Sequence, residues 1–205
     1  MASKWCVLKI YITGRPGIGK STVVFKAIDI LKKHGLKIGG IFCPEVRGTQ
    51  GYRVGFKIVD LLSNKEGWLA KKNIRIPGPR IGKYTVIVND AISIGVKALR
   101  DAMNYADVIV IDEVGPMELK VNELRKEIVN ALKSNKHVIA VVHYRLRDYE
   151  IISILRNYIK FEVTFANRDK LPKIIADKIL SNMEEKYGIS GYGKNTHTSN
   201  SGRLG

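Results

Sequence analysis

Residues 6–21 read Cys6-Val7-Leu8-Lys9-Ile10-Tyr11-Ile12-Thr13-Gly14-Arg15-Pro16-Gly17-Ile18-Gly19-Lys20-Ser21. The first eight form an apolar run suited to a buried strand. The last eight match G-x-x-x-x-G-K-[ST], and a helix-like stretch follows from Ser21 to His34. A strand feeding a glycine-rich turn that opens into a helix points main-chain N–H groups at an anion. Lys20 is predicted to reach the β- and γ-phosphates of a nucleotide, and the Ser21 hydroxyl to coordinate Mg²⁺. Gly14, Arg15, Pro16, Gly17, Ile18, Gly19, Lys20, Ser21 and Thr22 are therefore the expected phosphate-binding residues.

Working outward, helix and strand signals alternate, which predicts an α/β fold of three layers around a doubly wound, mostly parallel sheet. Val24, Ala27, Ile28 and Leu31 lie on one face of the first helix, and Gly35 ends it. Lys37 to Cys43 reads as the second strand. Tyr52 to Ile58 then alternates apolar and polar residues, and Trp68 to Lys72 reads as its return, so a β-hairpin is expected to be inserted after the second strand. Tyr84 to Val88 is a short strand, and Asn89 or Asp90 is expected to cap a helix burying Ile92, Val96, Leu99 and Met103. Later helices are expected around Val121–Leu132, Tyr149–Asn157 and Asp169–Lys186, and strands over Asp107–Ile111, His137–Val142 and Lys160–Phe165. One domain is expected over 1–187, with a flexible tail over 188–205 that is rich in Gly, Ser, Asn and Thr.

Val108 to Ile111 is a run of branched aliphatic residues that ends in Asp112-Glu113. A buried strand carrying a carboxylate at its C-terminal end is the Walker B arrangement. Asp112 is expected to hold the magnesium ion opposite Ser21, and Glu113 to orient the attacking water; Lys20, Asp112 and Glu113 form the expected catalytic set. A further cation often governs the rate at such sites. Arg47, Arg53, Arg145 and Arg168 are candidates, with Arg47 favoured because it follows a strand directed at the site. His143, after the strand that follows Walker B, is a candidate sensor of the terminal phosphate. Asn167 and Arg168 follow the last strand and are candidates for contacting the base, with helix capping by Asn167 or Asp169 as the competing account.

Several further blocks occur in order: Gly40-Ile41-Phe42-Cys43-Pro44-Glu45-Val46-Arg47, Gly55-Phe56-Lys57-Ile58-Val59-Asp60-Leu61, Gly82-Lys83-Tyr84-Thr85-Val86, Val110-Ile111-Asp112-Glu113-Val114-Gly115-Pro116-Met117-Glu118 and Asn167-Arg168-Asp169. With the phosphate loop they resemble the THEP-type nucleoside-triphosphatase family first described in thermophiles. The resemblance spans roughly residues 5–185. It implies Mg²⁺-dependent hydrolysis of nucleoside triphosphates (ATP, GTP, CTP, UTP) to the diphosphate and phosphate, with loose base preference. It also implies a second nucleotide-binding stretch at Val110, Ile111, Asp112, Glu113, Val114, Gly115, Pro116 and Met117.

The 205 residues carry a net charge of +16, of which residues 1–105 hold +13. Lys71 to Lys83 contains five cations and no acid. Such a field attracts polyanions, nucleotide and nucleic acid alike. Two alternatives to hydrolysis follow: a kinase acting on a nucleoside or polynucleotide, and an ATP-regulated RNA- or DNA-binding protein. Against the second, no helix-turn-helix, zinc or RNP-type signature is present. No apolar run reaches membrane-spanning length, and Met-Ala-Ser-Lys-Trp leads straight into the first strand. Cys6 and Cys43 read as free thiols, and the expected setting is a cytoplasmic monomer. Frequent Lys and Ile with few Gln fit a thermophile.

Overall fold

A computed structural model describes residues 7–187. Cys6 and the expected tail over 188–205 lie outside the described residues. The chain runs β1 (Lys9–Thr13), α1 (Lys20–Lys33), β2 (Ile38–Phe42), β3 (Glu45–Arg47), β4 (Arg53–Asp60), β5 (Glu66–Lys72), β6 (Arg80–Ile81) and β7 (Tyr84–Val86). There follow α2 (Val88–Asp90), a π-helical turn (Ala91–Val96), α3 (Lys97–Tyr105), β8 (Val108–Val114), a 3₁₀ turn (Glu118–Lys120) and α4 (Asn122–Lys133). The last elements are β9 (His137–Val142), α5 (Tyr149–Leu155), β10 (Ile159–Glu162) and α6 (Leu171–Tyr187).

The strands form one sheet in the order β10-β1-β9-β8-β2-β4-β5-β7-β6, with β3 paired to β4. From β10 to β2 every pairing is parallel; from β2 onward every pairing is antiparallel. The expected hairpin is present as β4 and β5. It does not stand apart from the sheet: Ile41 pairs with Asp60, so the hairpin continues the parallel core as an antiparallel wing.

Burial explains the layering. On β8, Ile109 and Ile111 face one core with α3, α4 and α5, whereas Val108 and Val110 face a second core with α1 and α6. Period-two side-chain alternation on a strand covered on both faces requires an unbroken apolar run, and Val108–Ile111 supplies it. α1 buries Val23 with the expected Val24, Ala27, Ile28 and Leu31. No helix among the described residues is long and apolar enough to cross a membrane.

Two local expectations are corrected. Neither Asn89 nor Asp90 caps a helix: the helical stretch starts at Val88 without a side-chain cap, and the Asp90 carboxylate instead accepts the Trp68 N–H at 2.7 Å. The π turn then alters the helix face. Ile94, Gly95, Val96, Ala98, Leu99 and Ala102 are buried, while Ile92 and Met103 are only partly so. A turn of wider period rotates the residues beyond it relative to a uniform 3.6-residue repeat.

Candidate active site

The parallel strands β1 and β8 end side by side with β9, and the site is built at their C-terminal ends, where open α/β sheets place ligands. β1 stops at Thr13, and residues 14–19 turn the chain into α1. Gly14 has φ +148°, and a Cβ there would come within 2.9 Å of the Val163 carbonyl oxygen, so only glycine fits against the strand end beyond it. Gly19 precedes α1 with φ +103°. No side chain caps α1, and its first turn holds no acid, which leaves the N–H groups and the positive helix end to an anion. The Lys20 ammonium donates to the Gly14 carbonyl at 3.2 Å and to the Arg15 carbonyl at 3.4 Å, folding back over its own loop.

The Ser21 hydroxyl donates to Asp112 Oδ1 at 3.2 Å. This joins the start of α1 to β8 across 91 residues of sequence. Asp112 is 2% exposed. Loss of hydration pushes its carboxyl up to about 7, an effect only partly offset by the Ser21 hydrogen bond. Glu113 follows at a shift in the β8–β9 register, where Asp112 pairs with Val141 and Val114 with Val142. Burial raises Glu113 too, while Lys20 and His143 act in the opposite direction.

Glu118 is also buried and is pushed up to about 8, first by desolvation and then by Glu113. A Cβ on Gly115 would meet Glu118 Oε2 at 3.1 Å and Glu113 Oε1 at 3.2 Å, so this glycine lets the two carboxylates flank the backbone closely. The Cys43 thiol is pushed well above its usual range by burial, then by Glu118 and Asp112.

These groups share a cleft of about 580 Å³. The phosphate loop and the ends of β8 and β9 form one wall, and Phe42 at the end of β2, with Pro44 after it and Phe56 and Ile81 from the antiparallel wing, forms the other. His143 enters the cleft just after β9, its N–H donating to the Val114 carbonyl. Its Nδ1 accepts the Arg145 N–H at 3.2 Å, which puts the proton of the neutral ring on Nε2.

A sequence profile described as NTPase matches residues 9–176. The nucleoside-triphosphatase THEP1 of Hyperthermus butylicus is 40% identical over 181 residues, covering 88% of this chain and 95% of that protein. This chain belongs to the THEP1 nucleoside-triphosphatase family. The THEP1 protein of Thermofilum pendens is 45% identical over 173 residues, covering 83% of this chain and 94% of its own length. The crystal structure of THEP1 from Aquifex aeolicus matches with a TM-score of 0.72 at 28% identity, covering 84% of this chain and 99% of that one. The solution structure of a human cancer-related nucleoside triphosphatase matches with the same score and identity, covering 85% and 98%. The fold is thus the P-loop NTPase fold of the THEP1 family.

Within this THEP1-family cleft, the residues expected from sequence separate into groups. Pro16, Gly17, Gly19, Lys20, Ser21 and Thr22 line it, as do Asp112, Glu113, Pro116, Met117 and His143. Ile18, Val110, Ile111 and Val114 are instead buried in the two cores, where they hold the loop and strand in place. Arg47 is not among the lining residues: its guanidinium bonds Glu45 at 2.6 Å and donates to the Gly51 carbonyl at 2.9 Å. Arg145 lies over the Tyr144 ring and is also outside the lining set. The arginine the cleft does hold is Arg53.

Asn167 does not cap α6. Its Oδ1 accepts the Thr164 N–H at 2.8 Å, and its Nδ2 donates to the Glu162 carbonyl at 2.9 Å, which fixes the turn after β10. Arg168 lies 5.0 Å over the ring of the exposed Phe165. Sequence reasoning missed roles for Glu45, Glu118 and Phe56. Glu118 was within reach, because it ends the Asp-Glu-Val-Gly-Pro-Met-Glu block; its burial depends on the 3₁₀ turn that folds it back.

Proposed function

We propose that this chain hydrolyses nucleoside 5′-triphosphates to the diphosphate and phosphate, with Mg²⁺ as cofactor and little discrimination among bases. The observation that carries this reading is the Ser21–Asp112 contact of 3.2 Å in the same cleft as Lys20 and Glu113.

The donor set fits magnesium. Among the described residues no cluster of three or more His, Cys, Asp or Glu side chains forms a metal cage. Mg²⁺ favours a different arrangement, one or two oxygen ligands from protein with the rest from phosphates and water. Ser21 and Asp112 supply that pair. A carboxyl pushed up to about 7 by burial gains a counter-charge if a divalent ion sits beside it. The bound ion would neutralise charge on the β- and γ-phosphates.

The chain's own residues account for the remainder. The loop amides and the α1 N-terminus hold the phosphates, and the Lys20 ammonium leaves its loop carbonyls for phosphate oxygens. Glu113 orients a water in line with the terminal phosphorus. The new P–O bond forms from that water as the bond to the β–γ bridging oxygen breaks, its electron pair leaving with the diphosphate, and Glu113 takes the water's proton. Weak base preference is consistent with the turn after β10: the Asn167 amide is oriented by main-chain groups on both its oxygen and its nitrogen, so its direction is set by the turn and not by a base edge.

Phosphate release from ATP, GTP, CTP and UTP, with Mg²⁺ and with chelator, tests the reading. Magnesium-dependent release from all four is expected, with Lys20→Ala inactive. Equal release by wild type and Lys20→Ala would remove the phosphate loop from the reaction. Parallel reactions with nucleosides or polynucleotide added separate hydrolysis from phosphoryl transfer to an acceptor.

A further inference from the structure

Two cations and four carboxylates line the cleft: Lys20 and Arg53 against Glu45, Asp112, Glu113 and Glu118. A triphosphate brings more negative charge to the same place. Phosphoryl transfer spreads charge over the terminal oxygens, and Lys20 is one ammonium acting from the loop side only. Arg53 is the remaining cation of the cleft. It begins β4, on the wing opposite the phosphate loop.

The surroundings of Arg53 are those of a group held ready to move. Its guanidinium lies 5.3 Å from the centre of the Phe56 ring, and Phe56 packs edge-on against Tyr84 at 5.3 Å. The guanidinium itself faces the Phe56 ring and also hydrogen-bonds the Tyr84 side chain, so its partners besides Glu45 are neutral aromatic side chains that carry no charge to be stranded. The guanidinium pairs with Glu45 Oε2, while Glu45 Oε1 is held by Arg47 at 2.6 Å. Glu45 is therefore bracketed by two arginines, one facing the cleft and one outside it. If Arg53 leaves, Glu45 keeps Arg47, and no carboxylate is stranded. That makes the exchange cheap, because the usual penalty for breaking an ion pair is the unpaired partner it leaves behind.

We propose that Arg53 is a catalytic residue supplied in cis: when a triphosphate enters, its guanidinium passes from Glu45 to the terminal phosphoryl oxygens and stabilises the charge that develops there. Glu45 is the holding group and Arg47 its retainer. The proposal rests on the hydrolytic reading above and adds the residue that completes the phosphate site from the wing side. Arg53 exchanges no proton; the bonds made and broken are those already described.

The test compares wild type, Arg53→Ala, Arg53→Lys and Lys20→Ala in single-turnover hydrolysis, with affinity for a non-cleavable triphosphate measured separately. Arg53→Ala is expected to lose about 10²–10³-fold in rate, the scale of removing one transition-state donor. Its affinity for the analogue should stay within about threefold, since the contact strengthens in the transition state. Arg53→Lys should recover only part of the rate, because an ammonium lacks the planar fork. Free guanidinium added at tens of millimolar should partly restore Arg53→Ala and leave Lys20→Ala unaffected. A purely structural role for Arg53 would not give that rescue. Arg53→Ala turning over at the wild-type rate while Lys20→Ala is inactive overturns this proposal alone. Loss of rate without guanidinium rescue, accompanied by a lower melting temperature, overturns it too. Wild type and Lys20→Ala releasing phosphate equally would instead end the hydrolytic reading.

Discussion

At the scale of single residues, the site holds two buried carboxyls, Asp112 and Glu118, and the part-buried Glu113 between them in sequence, and burial raises all of them. Glu118 shows the consequence most simply. Folded, it keeps its proton up to about 8; unfolded, it releases it near the ordinary glutamate value of about 4.3. Between those values the folded state binds more protons, so stability falls as pH rises through the window and the loss is complete above it. Glu118→Gln removes that contribution while keeping an oxygen to accept hydrogen bonds. Relative to wild type its stability should improve as pH rises from 5 to 8, by at most about 1.4 kcal/mol per pH unit. Denaturant titrations at both pH values, with divalent ions chelated, check it; parallel pH profiles for the two proteins would refute the assignment. Glu113→Gln tests a different role. It should retain triphosphate binding and lower kcat by about 10²-fold or more, as expected for loss of a group that acts in the transition state. Equal loss of binding and kcat would make Glu113 a packing residue.

At the scale of elements, β2 carries Gly39 and Gly40 in a strand buried on both faces. Gly40 has φ +113°, and a Cβ there would lie 2.0 Å from the Val110 carbonyl oxygen on β8. No side-chain rotation relieves a clash with backbone. Gly40→Ala should cost on the order of 3 kcal/mol or more, through strain and forced separation of β2 from β8. Gly82→Ala is the contrast: φ is +57°, but the space is open, so about 1–2 kcal/mol is expected. Melting curves of both decide whether close approach or conformation dominates. Such contacts also mark where sequence stops being informative. α4 and β9 were legible because their apolar spacing matches one period throughout, and His137–Val142 was placed to the residue. The π turn was not, since Ala91–Val96 carries no local signal for a wider turn; at Gly95 the ends of the Ile58 and Leu124 side chains pack close to the backbone from other elements. The hairpin was legible as a hairpin. Its joining to β2 through Ile41 and Asp60 is a non-local pairing that alternation cannot specify. The same holds for the choice between Arg47 and Arg53. Arg47 and Arg53 are partners across β3 and β4 at a shift in register, yet only Arg53 lines the cleft, and neither that non-local pairing nor the shift is written in local alternation.

At the scale of the molecule, a net charge of +16 acts on stability in two separable ways. Self-repulsion destabilises the compact state, and any salt that screens it should raise the melting temperature. The described ion pairs include exposed ones such as Lys173–Asp177, and screening costs them little because each contributes little. The phosphate loop adds a local term that depends on anion shape. A tetrahedral oxyanion fits the loop amides and Lys20, whereas chloride does not reproduce that geometry. At matched ionic strength, sulfate should therefore raise the melting temperature above chloride. At about 100 times its dissociation constant the added stability is ~2.7 kcal/mol, or roughly 5–10 °C for a chain of this length. Sulfate also stabilises proteins in general by exclusion from their surfaces, so the comparison needs a control. Lys20→Ala supplies it: the variant keeps nearly the same global charge and the same exposed surface but loses the ammonium above the loop. The sulfate excess should shrink to less than half in Lys20→Ala, while the rise common to both salts persists. An undiminished excess would place the effect at the surface at large, and the loop would then have no special claim on tetrahedral anions.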